Sequence, residues 1–204
     1  AIVYDPVPPS LSFSPPASPT NASPLALTGS ATDNTGPVTV TWTNAATGES
    51  GAATVDAESW SATIPLTAGS NAVTVTARDA AGNEASSTVT IVYDPIPPSI
   101  FLSPPASPTN SSPLALAGSA TDAVGPVTVA WTNAATGESG AAAVGADSWS
   151  ATVPLTAGSN AVTVTARDAA GNTATAEASV LYDPPSTAVL IYPVDGTTDN
   201  STLN

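Results

Sequence analysis

Apolar residues in this chain recur at every second position, in short runs separated by clusters of Pro, Gly, Ser, Asn and Asp. Leu25 and Leu27 alternate with small residues in PLALTGSATD. Val38, Val40 and Trp42 alternate with Thr in VTVTW. The same spacing returns in Trp60, Ala62 and Ile64, then in Val73, Val75 and Ala77, and last in Val89 and Ile91. Residues two apart on an extended chain share a face, so each run predicts a strand with one side buried. The intervening segments Ser14 to Pro24, Ser30 to Gly36, Asn44 to Gly51, Asp56 to Ser59 and Thr67 to Asn71 predict turns and connections. No stretch carries a helical period. About seven short strands in roughly 90 residues predict two sheets packed face to face around Trp42 and Trp60.

The whole pattern then repeats. Tyr4-Asp5-Pro6 recurs as Tyr93-Asp94-Pro95 and as Tyr182-Asp183-Pro184, an interval of 89 residues. Aligned without a gap, residues 1–89 and 90–178 differ at about 19 positions, roughly one in five. A fixed period of this length signals an array of like modules. The expected fold is therefore all-β, with tandem immunoglobulin-like β-sandwich domains joined by short Pro-rich linkers. Residues 1–5 read as the end of a preceding repeat, 6–94 and 95–183 as two domains, and 184–204 as the first strand of a truncated third repeat. On this reading the chain is a stretch of a longer array. Trp131 and Trp149 take the core positions of the second copy. Asp5 to Pro9 and Asp94 to Pro98 read as stiff connectors, because proline fixes φ and cannot enter a helix or a central strand. Pro15 to Pro24 is expected to break the first strand into an edge segment.

Composition narrows the chemistry. There is no Cys, Met or His, the only basic residues are Arg78 and Arg167, and 16 acidic residues give a net charge of −14. A surface so short of cations repels phosphates and excludes nucleic acid as a partner. Without Cys there is neither a disulfide nor a thiolate metal site. Without Lys there is no Lys–Asn isopeptide staple. Serine is abundant, but no His, Lys or Cys is present to activate it, so no enzyme is expected. No apolar run approaches the length of a membrane span, so no membrane contact by this fragment is expected.

The run NAVTVTARDAAGN (Asn71–Asn83), after WSATIPL (Trp60–Leu66) and before a linker with Asp and prolines, resembles the bacterial immunoglobulin-like (Big-type) repeats of large surface and secreted proteins. The resemblance covers both complete modules. It implies rod segments that hold an adhesive or catalytic domain away from the cell, an extracellular or cell-surface location, and neighbouring repeats as the main partners. It also implies calcium at or near the junctions.

The residues themselves point the same way. In a sandwich the first strand leaves the linker at one pole, the second returns there, and the sixth ends there. Asp5, Asp33, and Asp79 with Asn83 should therefore converge, as should Asp94, Asp122, Asp168 and Asn172 in the second copy. Three carboxylates, an amide oxygen and nearby carbonyls are hard oxygen ligands suited to calcium. Asn34 becomes Ala123, so no side-chain ligand at that position is general. The competing structural reading is a tight turn over Asp79 to Asn83, in which Gly82 takes a positive φ, with Asp33 bonded in its own loop or paired with Arg78.

Other features have plainer readings. Exposed tryptophans would suit a carbohydrate-binding accessory module of a secreted enzyme, yet their register predicts core packing. Tyr4, Tyr93 and Tyr182 are expected to pack at the module joints. Asn21, Asn110 and Asn200 begin glycosylation-type triplets that Ser/Thr-rich sequences often contain by chance. Residues 184–204 carry the apolar run Val189 to Tyr192, an orphan strand that could serve self-association in an extracellular filament.

Overall fold

The computed structural model describes residues 4–186. Among these there are sixteen strands and no helix. The first module contains β1 (Ser10–Phe13), β2 (Leu25–Thr32), β3 (Thr39–Asn44), β4 (Ser50–Ala52), β5 (Thr54–Asp56), β6 (Ser59–Ile64), β7 (Gly69–Arg78) and β8 (Glu84–Tyr93). They form two four-stranded sheets, in the orders β1-β2-β6-β5 and β4-β3-β7-β8. The second module repeats the plan with β9 (Ser99–Leu102), β10 (Leu114–Thr121), β11 (Thr128–Asn133), β12 (Glu138–Ala141), β13 (Ala143–Val144), β14 (Ser148–Val153), β15 (Gly158–Arg167) and β16 (Thr173–Tyr182). Its sheets run β13-β14-β10-β9 and β12-β11-β15-β16. The short pairs β4 with β5 and β12 with β13 raise the count to eight strands per module, where periodicity alone gave about seven.

The alternation read from sequence is the alternation that buries. In β3, Val40, Trp42 and Asn44 point inward while Thr39, Thr41 and Thr43 face out. In β6 the buried set is Trp60, Ala62 and Ile64, and in β7 it is Asn71, Val73, Val75 and Ala77. The apolar members of these sets, with Leu27, Ala31, Leu66 and Ile91, make one contiguous core; the second module has an equivalent core around Trp131 and Trp149. All four tryptophans are interior, none more than 7% exposed.

Each indole lies over a cross-strand glycine. Gly29 of β2 stands opposite Trp60 of β6, and Gly51 of β4 opposite Trp42 of β3. A Cβ on Gly29 would collide with the Ser12 carbonyl and sit 2.8 Å from Trp60 Cε2. A Cβ on Gly51 would stand 2.9 Å from the Trp42 ring. Phe13 closes the first core edge-on to Trp60, with ring centroids 5.9 Å apart at 75°. In the second module Ser12-Phe13 is replaced by Phe101-Leu102: Leu102 packs on the core and Phe101 turns outward.

Three expectations are revised. The segment from Ser14 to Pro24 does more than interrupt an edge: Thr20 crosses to the other sheet and forms a parallel bridge with Tyr93, as Thr109 does with Tyr182. Tyr93 and Tyr182 end β8 and β16 and pack on the cores of their own modules rather than at a joint; Tyr4 is exposed. Arg78 pairs at 3.8 Å with Glu84, its directly opposite neighbour across β7 and β8, and not with Asp33. The run Val189 to Tyr192 lies outside the described residues.

Because overpacking beneath an indole forces both strands to shift, Gly29→Ala is expected to destabilise the first module by about 1–3 kcal/mol. Urea unfolding followed by tryptophan fluorescence measures it.

Candidate functional site

One pole of each module gathers its acidic residues. In the first, Asp5 precedes β1, Asp33 follows β2, and Asp79 opens the turn between β7 and β8. Their carboxylates converge, with one oxygen from each within 4.8 Å of the others. Asp94, Asp122 and Asp168 form the same group in the second module. The topology enforces this, since β2 and β7, one in each sheet, both finish at the pole where the linker enters.

The turn is organised by Asp79. Its Oδ1 accepts hydrogen bonds from the backbone N–H of Gly82 (2.7 Å) and Asn83 (2.9 Å), and Oδ2 accepts from Asn83 Nδ2 (2.7 Å). Gly82, at φ 97°, supplies the left-handed step that brings both N–H groups round. Burial raises the Asp79 pKa, but bonds from the Asn83 side chain and from the backbone of Asn83, Gly82 and Ala81 outweigh it and hold the carboxyl below its ordinary range. A lowered folded-state pKa means that Asp79 contributes its full stability above the ordinary carboxylate range and loses it as pH falls through the lowered value.

Asn83 faces the group with its amide nitrogen. Nδ2 donates to the Asp5 carbonyl at 2.9 Å and lies 3.3 Å from the Val7 carbonyl, in addition to Asp79. Asn172 does the same for Asp94, Ile96 and Asp168. In this arrangement the two amides clamp the linker backbone and do not present an oxygen to the cluster. The reason is local: linker carbonyls next to proline need a donor, and the carboxylates can only accept.

The remaining carboxylates are only half satisfied. Asp5 Oδ1 accepts from Val7 N–H, Asp33 Oδ2 from Thr35 N–H, and Asp94 Oδ1 from Ile96 N–H. Asp5 Oδ2, Asp33 Oδ1 and Asp94 Oδ2 are buried without a hydrogen-bond partner. Asp94 is only 3% exposed and Asp5 9%. Beside the first cluster, Asp5, Thr35, Ala80 and Ala81 line a recess of about 170 Å³, large enough to hold water.

The opposite pole holds a polar group that the sequence reading did not single out. Asn44 and Asn71 are wholly buried, with Asn44 Nδ2 donating to Asn71 Oδ1 at 2.9 Å and to the Pro65 carbonyl at 2.9 Å. Asn71 Nδ2 donates to the carbonyls of Thr67 and Gly69. The signal was there: both asparagines sit at core parity in their strands.

Residues 9–94 match the family model described as Glucodextranase, domain B. No curated protein matches the chain. Among solved structures, the fibronectin(III)-like modules of Clostridium thermocellum CbhA are 18% identical with a TM-score of 0.56, over 86% of this chain and 95% of that one. A tetra-tandem repeat from the extending region of a large adhesion protein is 27% identical with a TM-score of 0.38, over 86% of this chain and 49% of that one. A solved chain described under the cell-surface retention of a 1.5-MDa bacterial ice-binding adhesin is 18% identical with a TM-score of 0.47, over 88% of this chain and 65% of that one. The CbhA modules establish the shared sandwich fold.

Replacing Asn83 by Ala should leave the Asp5 and Val7 carbonyls without their donor and cost about 1–2 kcal/mol. It should also let the Asp79 carboxyl titrate at higher pH, a change that carboxylate carbon chemical shifts followed through an acid titration will register.

Proposed function

We propose that this chain, a tandem immunoglobulin-like repeat, is a spacer segment of a large bacterial extracellular protein such as an adhesin, with its joints set by calcium. The observation that carries the reading is the second acidic group. Its first carboxylate, Asp94, comes from the connector, the other two come from the body of the following module, and Asp94 Oδ2 is buried with no partner. A buried carboxylate oxygen without a donor is costly, and like charges nearby add to the cost. A divalent cation removes both penalties at once.

The donor set fits that class of ion. Aspartate oxygens, backbone carbonyls and water from an open recess suit a hard cation of flexible geometry, whereas softer metals favour the imidazole and thiolate that this chain lacks. Asp5, Asp33 and Asp79 would hold one ion, and Asp94, Asp122 and Asp168 the other. When bound, the ion supplies charge neutralisation and a multidentate tie. The chain's own residues prepare the site. Asp79 and Asp168 are fixed by their turns, Asn83 and Asn172 hold the linker carbonyls, and Thr35 N–H orients Asp33. The result is a connector locked to the module it enters.

No role in group transfer is assigned to the chain, because its carboxylates recur at equivalent positions of each module and no His, Lys or Cys is present to act with them. The matched family's description names a domain of a glucodextranase. A module of this build placed in a secreted glycan-acting enzyme would do the same spacing work. Buried tryptophans leave no indole platform for a sugar in either module.

Isothermal calorimetry should show two calcium sites per chain. At about 100 times the dissociation constant each site should add about 2.7 kcal/mol to the stability of its module, reversed by chelator. Asp33→Asn should abolish the first site and spare the second. Absence of both binding heat and any shift in melting temperature would sink the proposal.

A further inference from the structure

Asp94 is bonded to both modules. Its backbone N–H donates to the Thr20 carbonyl at 2.9 Å, inside the first module. Its own carbonyl accepts from Asn172 Nδ2 at 2.9 Å, inside the second. Its side chain joins Asp122 and Asp168. Thr20 also donates to the Val92 carbonyl at 2.9 Å, and Val92 N–H donates to Ser18 Oγ at 2.9 Å. The stretch Ser18 to Thr20 thus brackets the end of β8 on either side of Tyr93. A second proximity reinforces the first: the position a Cβ on Gly171 would occupy is 3.8 Å from Asn21 Nδ2, so the residue after Thr20 lies against the acidic turn of the second module.

Asp183 provides an internal comparison. It donates to the Thr109 carbonyl at 2.9 Å, just as Asp94 does to Thr20. The carbonyl and carboxylate of Asp94 are engaged by the second module, whereas its backbone N–H is held by the first.

We infer that the group at Asp94, Asp122 and Asp168 is a shared site through which cation occupancy in the second module stabilises the Thr20–β8 crossing of the first, Thr20 and Ser18 acting as positioning residues. The inference rests on the cation reading above. Its physical basis is linkage: a ligand held in place by one module and used by the other couples the two, and the coupling is reciprocal. A cation that fixes the Asp94 carboxylate also restrains Asp94 N–H, and so favours the closed crossing. An intact crossing in turn presents Asp94 to the site already positioned, and tightens binding.

The test is residue-resolved amide hydrogen exchange by NMR on the whole chain, with calcium and with chelator. Calcium should slow exchange at Thr20, Val92 and Asp94 by about 5- to 150-fold, the usual span of such coupling. It should also slow Val124, Gly171 and Asn172 in the second module. Asp122→Asn, which removes a second-module charge and leaves the first module's sequence untouched, should abolish the slowing at Thr20, Val92 and Asp94 while that at Thr35, Gly82 and Asn83 persists. Reciprocally, Ser18→Ala should weaken calcium at the second site several-fold and leave the first site unchanged. Slowing confined to Val124, Gly171 and Asn172, or persisting at Thr20 in Asp122→Asn, overturns the coupling while leaving the cation reading intact. No slowing at any of these amides overturns both.

Discussion

Three carboxylates with oxygens within 4.8 Å of one another repel, and repulsion grows as the surroundings lose water. Each module tolerates this at one pole only because its topology leaves no alternative: the entering linker, the end of β2 and the end of β7 must meet there. Asp79 and Asp168 satisfy their oxygens through their own turns, so the unsatisfied valence falls on the linker carboxylate and on Asp33. The rest of the pole is arranged around that residual demand. Asn83 and Asn172 hold the linker backbone, and the glycine at φ near 100° tightens the turn.

The two poles solve opposite problems. At the far pole, Asn44 and Asn71 bury neutral amides whose donors and acceptors meet loop carbonyls and N–H groups, so that end is closed and needs nothing more. At the acidic pole the converging side chains are acceptors apart from the clamp asparagines, and backbone N–H groups reach only some of the carboxylate oxygens. A neutral network rigidifies by being complete, and an acidic one remains open by being incomplete. Between them the tryptophan cores are fixed by shape, with Gly29 and Gly51 leaving room for indoles that no other residue would permit.

Much of this was legible in the residues. Period-two alternation located the principal strands, because burial on one face is written directly into every second position. The convergence of Asp5, Asp33 and Asp79 followed from strand direction alone. What escaped was carried by the backbone or by orientation. The Thr20 crossing uses main-chain N–H and C=O groups that every residue possesses, so nothing in the side chains announces it. The facing of Asn83 depends on which end of an amide turns inward, which spacing does not encode. Arg78 found Glu84 instead of Asp33 because register across β7 and β8 sets the nearest partner. Asn44 and Asn71 were visible as polar residues at core parity, and only their pairing was hidden.

The parallel bridge between Thr20 and Tyr93 has a mechanical meaning. If the chain is drawn out by its ends, the segment through Thr20 and the strand β8 are pulled in opposite senses along their own length. Hydrogen bonds lying across that direction are then strained together in shear, rather than opened one after another as in a peeled hairpin. Ser18, Thr20, Val92 and Asp94 supply such a set immediately before the joint, and Ser107, Thr109, Leu181 and Asp183 supply it again in the second module. In each module, tension on the chain would therefore strain a set of bonds in shear close to the end of its last strand.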